Sequence, residues 1–226
     1  MSANLNGYVL AGGRSSRMGR DKAMLKLAGK PLVQRAVEKL RRVCAEIFVV
    51  GNRPELEVYA PVVRDLHEGC GPLGGIEAAL QSSDREWNLL MAVDMPFLPA
   101  AFLSAWARSV MEEKDSRVAL FTVDGRPQPA LCLLHRDIGP FAGAAIRKGE
   151  LKLYPVLLNA AQELAARQGV ALNEVFWNRD CDKGDSGGTP APAQKKAQHK
   201  IGHLWFANLN TPEEFAEAEA AAGLLD

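Results

Sequence analysis

The sequence GYVLAGGRSSRMGRDK at residues 7–22 joins a short apolar strand to a loop rich in glycine and arginine. Glycines allow unusual backbone angles, so that main-chain N–H groups can approach a phosphate closely. The loop also carries four cationic side chains, those of Arg14, Arg17, Arg20 and Lys22. It matches neither the Walker A pattern nor the GxGxxG dinucleotide pattern. We expect it to bind a phosphate group; a basic loop without a ligand is the alternative.

The residues after this loop predict a βαβ unit. Apolar residues recur at helical spacing from Leu32 to Val43, with Pro31 at the start of the helix. The run Ile47-Phe48-Val49-Val50 is typical of a strand covered on both faces. Strand, loop, helix and strand in this order favour a parallel sheet. In an open α/β sheet, ligands bind beyond the carboxyl ends of the strands, where the glycine-rich loop lies.

The rest of the chain continues the alternation of strands and helices. Further strands are predicted at 62–63, 87–93, 118–122, 129–135 and 204–206. Further helices are predicted at 73–80, 100–111, 138–148, 153–166 and 212–222. The stretch 178–200, NRDCDKGDSGGTPAPAQKKAQHK, is almost free of apolar residues and predicts a solvated loop that tends to disorder. We therefore expect one domain over residues 1–226, with a polar insertion at about 178–200.

Length, charge and cysteine content limit the class of protein. The 226 residues suit a single α/β domain, and 27 basic against 27 acidic residues give no electrostatic reason to expect a nucleic acid or a membrane as partner. The four cysteines form no CxxC pair and are typical of reduced thiols. The apolar run at residues 8–10 is too short for a signal peptide or a membrane span, so we expect a cytoplasmic protein.

Two acidic residues follow predicted strands and are candidates for the site. Asp94 ends the strand at 87–93, where a carboxylate suits Mg²⁺ held together with substrate phosphates. A turn cap before Pro96 explains Asp94 equally well. Asp65 precedes the GPLGG segment at 71–75, which predicts either a tight turn against a nucleobase or ribose, or a helix start with packing glycines.

The segment NLNTPEE at residues 208–214 precedes the last predicted helix. Thr211 and Glu214 form a capping box, which is a sufficient structural role for that pair. Asn208 and Asn210 come just before it, at positions that allow them to face the same site. The four histidines show no metal-ligand spacing, so we expect no histidine metal site.

In this order, the motifs LAGGRSSRMGRDK, GKPL, GPLGG, AVDMPFL and NLNTPEE resemble those of the MobA-like nucleotidyltransferases, and within them the guanylyltransferases of the molybdenum cofactor. The resemblance runs from residue 7 to the C-terminus and is interrupted at 178–200. It implies an α/β fold, a Rossmann-like three-layer sandwich with a mixed, mostly parallel sheet, of the nucleotide-diphospho-sugar transferase type.

The resemblance also implies a reaction and its residues. The reaction is transfer of GMP from GTP to the phosphate of molybdopterin, with Mg²⁺ as cofactor. By resemblance, nucleotide contacts fall on Leu10, Ala11, Gly12, Lys22, Asp65 and Asp94, and the metal contact on Asp94. From the chemistry of the two glycine-rich segments we add Gly13 and Gly71 to the nucleotide site. We expect three catalytic residues: Arg17, Lys22 and Asp94. A guanine-contacting asparagine of some relatives aligns with Val50 here, with Asn52 just beyond it.

Both reactants are anions, so we expect catalysis by positioning and charge neutralisation, without a general base. The expected partners are GTP, a molybdopterin-type phosphate, and a molybdoenzyme or its chaperone. Two alternatives stay open. One is a cytidylyltransferase or another small-phosphate or sugar-phosphate nucleotidyltransferase. The other is a non-catalytic GTP-binding protein that delivers the cofactor.

Overall fold

The structure, a computed structural model, describes residues 2–12, 21–180 and 204–225. Its strands in these ranges are β1 (Ser2–Leu10), β2 (Lys26–Leu27), β3 (Lys30–Pro31), β4 (Cys44–Val50), β5 (Val62–Val63), β6 (Trp87–Ala92), β7 (Val118–Val123), β8 (Arg126–His135) and β9 (Phe176–Asp180). β2 and β3 form a separate antiparallel hairpin.

The other strands form a seven-stranded sheet in the order β5-β4-β1-β6-β8-β7-β9. β8 pairs antiparallel with β6 and with β7, whereas the remaining neighbours pair in parallel. β8 therefore runs against the other described strands of this sheet. This confirms the predicted mixed, mostly parallel sheet.

Seven α-helices are described, and six of them cover the two faces of the sheet. They are α1 (Leu32–Arg41), α2 (Gly71–Ser82), α3 (Ala100–Met111), α4 (Gly139–Arg147), α5 (Leu153–Gln168), the short α6 (Leu172–Val175) and α7 (Pro212–Ala220). Apolar side chains of α1, α3 and α7 join the core on one face. Those of α2, α4 and α5 join the core on the other.

Alternation along the strands explains why both faces are apolar. On β1, Val9 enters the first core and its neighbour Tyr8 the second. On β6, Leu89 and Leu90 divide in the same way. Successive strand residues point to opposite faces, so a strand covered on both sides is a continuous apolar run. The three-layer sandwich that the sequence predicted is therefore confirmed.

The predicted polar loop at 178–200 begins too early. Asn178 and the two residues after it belong to β9, which pairs in parallel with β7. This strand lies at the sheet edge, where polar side chains remain half-exposed or exposed: Thr122 donates a hydrogen bond to Asn178, and the Arg179 guanidinium lies 5.1 Å from the ring centre of Trp177. Hydrophobic patterning misses such an edge strand. Residues 181–200 lie outside the described part of the chain.

The strand predicted at 204–206 is also wrong, because these residues form a helical turn. Phe206 is buried in the first core, where its ring packs 5.1 Å from that of Phe121. A short apolar run fits a buried strand and a buried helical turn equally well, so the pattern alone does not distinguish them.

The three cysteines within the described ranges, Cys44, Cys70 and Cys132, are free thiols. Burial raises the pKa of Cys44 to about 12 and raises that of Cys132 as well, so both stay protonated. None of the helices in those ranges has the length and apolar character needed to cross a membrane.

Candidate active site

A cleft of about 550 Å³ opens beyond the carboxyl ends of β1, β4 and β6. This is the edge at which open α/β sheets bind ligands. Seven residues that the sequence assigned to the site line it: Leu10, Ala11, Gly12, Lys22, Asp65, Gly71 and Asp94. Val50, Gly75, Ala130 and Asn210 line it as well. Arg17 and Gly13, together with Arg14 and Arg20, lie outside the described residues.

Two glycines meet at the floor of the cleft. Ala11 N–H donates to the Val50 carbonyl at 3.1 Å, which holds the loop after β1 against the loop after β4. Gly51 has a φ of +140°, and a Cβ there would lie 3.2 Å from both Cα and N of Gly12. A side chain at Gly51 would therefore be strained and would push the two loops apart. The absence of side chains leaves main-chain groups facing the cleft.

The ammonium group of Lys22 contacts the carboxylate of Asp94 and the side-chain amide of Asn210. It opens a short 3₁₀ helix, Lys22–Met24, in which the preceding residue, Asp21, accepts a hydrogen bond from Ala23 N–H. Lys22 Nζ lies 2.6 Å from Asp94 Oδ2 and 2.8 Å from Asn210 Oδ1. The Lys22 and Asp94 side chains are only 16% and 13% exposed, so this ion pair is largely withdrawn from water.

Asp94 follows β6 and has one oxygen still available. Its main-chain carbonyl accepts a hydrogen bond from Leu209 N–H at 3.1 Å, which places the segment before α7 beside it. Its Oδ2 atom contacts Lys22, whereas Oδ1 is buried and has no hydrogen-bond partner among the residues the structure describes. A buried, unsatisfied carboxylate oxygen is costly, so it marks a place where a ligand or a cation would bind.

The capping box before α7 fixes Asn210. Glu214 accepts hydrogen bonds from Asn210 N–H at 2.6 Å and from Thr211 N–H at 2.9 Å. Its own N–H donates to Thr211 Oγ1 at 3.2 Å, which confirms the predicted capping box. Of the two predicted asparagines, Asn210 reaches the cleft, whereas Asn208 donates to the Phe206 carbonyl. The direct Lys22–Asn210 contact was not predicted, because the two residues are far apart in sequence.

Asp65 lies across the cleft, half-buried between two glycines. A Cβ built on Gly12 would lie 3.9 Å from Asp65 Oδ2, and one on Gly75 would lie 3.6 Å from Oδ1. Burial raises the pKa of Asp65. Within the described ranges, no hydrogen bond or ion pair satisfies its carboxylate. An acid kept close to main chain and without a cation is suited to accept hydrogen bonds from a ligand.

The GPLGG segment combines the two roles that the sequence left open. Gly71 begins α2 with a φ of +59°, lines the cleft, and has open space where a Cβ would stand. Gly75 packs: a Cβ there would come within 3.0 Å of Val50 Cγ1. Gly71 is thus available to a ligand, whereas Gly75 allows α2 to approach β4.

An ion pair that the sequence did not predict connects the two sides of the glycine floor. Arg53, two residues beyond Gly51, pairs with both carboxylate oxygens of Asp21, one of them at 3.0 Å. Asp21 precedes Lys22 directly, so this contact ties the loop after β4 to the segment that carries the Lys22 ammonium. Asn52 lies beside it and is exposed.

Within residues 2–12, 21–180 and 204–225, no cluster of three or more His, Cys, Asp and Glu side chains is arranged to hold a metal ion. Asp94, one of the carboxylates that line the cleft, fits a different kind of site, in which phosphates and water supply most of the oxygen ligands.

Comparison with known proteins identifies relatives of this chain. Residues 7–164 match the MobA-like NTP transferase domain. The chain is 32% identical over 189 residues to a molybdenum cofactor guanylyltransferase of Serratia proteamaculans, covering 80% of this chain and 94% of that protein. It is 30% identical, again over 189 residues, to the protein of the same name from Yersinia pseudotuberculosis, covering 80% and 95%.

Solved structures share the fold at lower identity. Molybdopterin-guanine dinucleotide biosynthesis protein A of Archaeoglobus fulgidus superimposes with a TM-score of 0.70 at 23% identity, covering 96% of this chain and 98% of that one. The 2-C-methyl-D-erythritol 4-phosphate cytidylyltransferase of Thermus thermophilus gives 0.58 at 16%, also covering 96% and 98%. The domain match and the sequence relatives go further than the fold: this chain belongs to the MobA-like NTP transferase family.

Proposed function

We propose that this protein transfers GMP from GTP to the terminal phosphate of molybdopterin, forming the guanine dinucleotide cofactor and pyrophosphate. Two sequence relatives are named for this activity, and each matches this chain over most of its length. The structural observation that carries the proposal is the cleft itself. It presents main chain at Gly12, an ammonium at Lys22 and, at Asp94, a carboxylate with one oxygen that no described residue contacts.

The nucleotide is proposed to lie across the glycine floor. The ammonium of Lys22 and main-chain groups at Leu10, Ala11 and Gly12 would contact the phosphates, joined by Gly13 and Arg17 from the same loop. Asp65 and Gly71, on the opposite side of the cleft, would contact the nucleoside. None of the described residues places a cation against the carboxylate of Asp65, which favours acceptance of ligand N–H or O–H groups over contact with a phosphate.

We propose Mg²⁺ as the metal, held by Asp94. The fit rests on Asp94 Oδ1, a hard oxygen donor without a partner among the described residues, and on the need of Mg²⁺ for only one or two carboxylates besides phosphates and water. When bound, Mg²⁺ would polarise the α-phosphate of GTP. The task of Asp94 is to hold that charge at the end of β6, beside the floor of the cleft.

The chemistry then needs no general base. A phosphate monoester has a second pKa of about 6, so the acceptor is already ionised near neutral pH. Its oxygen forms a bond to the α-phosphorus of GTP as the bond from that phosphorus to the β-phosphate oxygen breaks, and pyrophosphate leaves with the electron pair. Lys22 and Arg17 are proposed to neutralise the charge that develops on the leaving group, which is catalysis by positioning and electrostatics.

The proposal is tested by pyrophosphate release from GTP, CTP, UTP and ATP, each with and without molybdopterin and with Mg²⁺ or chelator. We expect release that requires GTP, molybdopterin and metal together. Release with CTP or with another phosphorylated acceptor would instead favour a cytidylyl- or sugar-phosphate transferase. GTP binding without any release would favour a protein that only delivers the cofactor. We further propose that the protein works in the cytoplasm and that a molybdoenzyme or its chaperone receives the product.

A further inference from the structure

In the ligand-free protein, the carboxylate proposed to bind the metal is already neutralised by a cation. Lys22 Nζ lies 2.6 Å from Asp94 Oδ2, and both side chains are largely buried. The ammonium therefore contacts the carboxylate directly, about half an ångström farther from the oxygen than Mg²⁺ would lie at its usual distance of about 2.0–2.1 Å. Only Oδ1 remains without a partner among the described residues.

We propose that Lys22 is a place-holder for the divalent metal, so that Asp94 binds the metal tightly only once a nucleotide has drawn the ammonium away. This inference rests on the proposed function, because it assigns an order of binding to the same site. Its physical basis is charge: a dication placed on Oδ1 would share one carboxylate with an ammonium that already contacts Oδ2. In a site removed from water, repulsion between two such cations is strong.

The contacts of Lys22 show why a triphosphate can move it. An ammonium has three N–H groups, and Asp94 and Asn210 accept two of these at 2.6 and 2.8 Å. The described residues thus leave one donor for a ligand in the cleft that Lys22 lines. Lysine carries its point charge on a flexible four-carbon stem. The ammonium can therefore turn toward phosphate oxygens while the 3₁₀ helix that carries it stays capped by Asp21.

The exchange also explains how Asp94 remains compatible with a folded, ligand-free protein. A buried carboxylate without a counter-charge is strongly destabilising, and Lys22 supplies that charge until the metal replaces it. Asn210 would guide the exchange, because its amide oxygen holds the ammonium beside Asp94 and is itself fixed by the capping box. Metal and nucleotide would then each raise the affinity of the protein for the other.

The test measures binding of Mn²⁺, a paramagnetic substitute for Mg²⁺, to the full chain by electron paramagnetic resonance, without acceptor or turnover. Wild type is compared with Lys22→Met and Lys22→Gln, which remove the ammonium, and with Asp94→Asn. Lys26→Met is the matched control. It also removes one ammonium group, but from Lys26, which is exposed on the neighbouring β2. Thermal unfolding checks that each variant is folded.

Without nucleotide, we expect weak Mn²⁺ binding in wild type and in Lys26→Met, and binding about tenfold tighter in both Lys22 variants, a coupling within the usual range. Asp94→Asn should remove the site. In calorimetry with a GTP analogue that cannot react, Mn²⁺ should raise analogue affinity in wild type and have no effect in Asp94→Asn. Unchanged or weaker Mn²⁺ binding in folded Lys22 variants would overturn the place-holder role. Because no acceptor is present, this result is independent of whether GMP transfer is the reaction.

Discussion

Gly12 and Gly51 show how single residues shape the site. Both come just after strands, and each lacks a side chain for a different reason. At Gly51 the backbone has a positive φ and the neighbouring main chain is 3.2 Å from where a Cβ would stand. At Gly12, among the described residues, a Cβ would meet Asp65 Oδ2 and Gly51 Cα, both at 3.9 Å. Gly51 is therefore required by the backbone at the floor of the cleft, whereas the described residues leave room for a ligand beside Gly12.

Replacing Gly12 with alanine should reduce use of GTP more than use of CTP. The methyl group fits the ligand-free protein but occupies cleft space, and a purine lying on the loop would need that space more than a pyrimidine would. Steric discrimination of this kind usually amounts to about 1–3 kcal/mol. Measuring kcat/KM for both nucleotides decides the question.

Gly51→Ala is the matched comparison, and it should lower thermal stability and reduce both activities alike, because it strains the backbone. If Gly12→Ala instead lowered GTP and CTP use equally, Gly12 would serve the phosphates alone. The base would then be recognised elsewhere, around Asp65 and Gly71.

Asp94→Asn should abolish turnover and leave the fold intact. The substitution keeps the shape of the side chain but removes the charge that would hold Mg²⁺ and that now pairs with Lys22. Loss of one such contact in a transition state costs roughly 10²-fold or more in kcat. Asp115→Asn, a carboxylate just after α3 and outside the cleft lining, is the control and should keep wild-type activity. Activity of Asp94→Asn within a few-fold of wild type would contradict a metal-binding role.

Asp65→Asn should stabilise the protein while weakening nucleotide binding. Burial raises the pKa of Asp65, so the folded state holds its proton more tightly than the unfolded state, whose carboxyl pKa is about 3.9. Ionised Asp65 therefore costs stability above that range, and this cost grows as the pH rises through the folded-state pKa. The stabilisation by asparagine should be full near pH 7 and vanish below about pH 4. Melting temperatures across this pH range, with GTP affinity at pH 7, test both effects.

At the scale of elements, prediction succeeded where the pattern was periodic and buried. The helix predicted at 100–111 has those bounds in the structure, because its apolar positions repeat at helical spacing and pack on the sheet. The glycine and aspartate positions at strand ends were predictable for a different reason: parallel strands bring their carboxyl ends to one edge of the sheet. Motif order predicted the family, which the comparisons confirm.

The structural features that the sequence did not predict are short or edge strands and contacts between residues far apart in the chain. β9 lies at a sheet edge, and only its first two residues, Phe176 and Trp177, are apolar, too few to predict a strand that continues to Asp180. The β2–β3 hairpin has two residues in each strand, too few for any periodicity. Lys22 meets Asn210, and Arg53 meets Asp21, only after the sheet has formed. No local pattern encodes such pairs.

Two deletions separate the polar insertion from β9. Replacing residues 181–200 by a short Gly/Ser linker should leave folding and GTP binding nearly unchanged, because this stretch contains no large apolar residue. Changes in loop length alter stability by only about 0.6 kcal/mol per doubling. A deletion that also removes 178–180 should lower the melting temperature, since these residues pair with β7. Loss of soluble protein with the shorter deletion would show that the insertion packs.

At the scale of the whole molecule, the residues that stabilise the sandwich are separate from the residues that line the cleft. Two apolar cores fix the seven strands, and the cleft forms at one edge where the chain is glycine-rich and polar. Contacts there come from segments far apart in sequence, among them Lys22, Asp94 and Asn210. These three side chains are already in contact in the ligand-free protein, before any substrate is bound.

The central claim is that the α-phosphoryl group of GTP, with its guanosine, moves to the pterin. It is tested most directly with two samples of GTP, one carrying radioactive phosphorus at the α position and one at the γ position, each incubated with protein, Mg²⁺ and molybdopterin. The account predicts that α label appears in the pterin product and γ label only in pyrophosphate. Transfer of γ label to the pterin would reveal a kinase, and absence of either label from the pterin would contradict the proposed reaction.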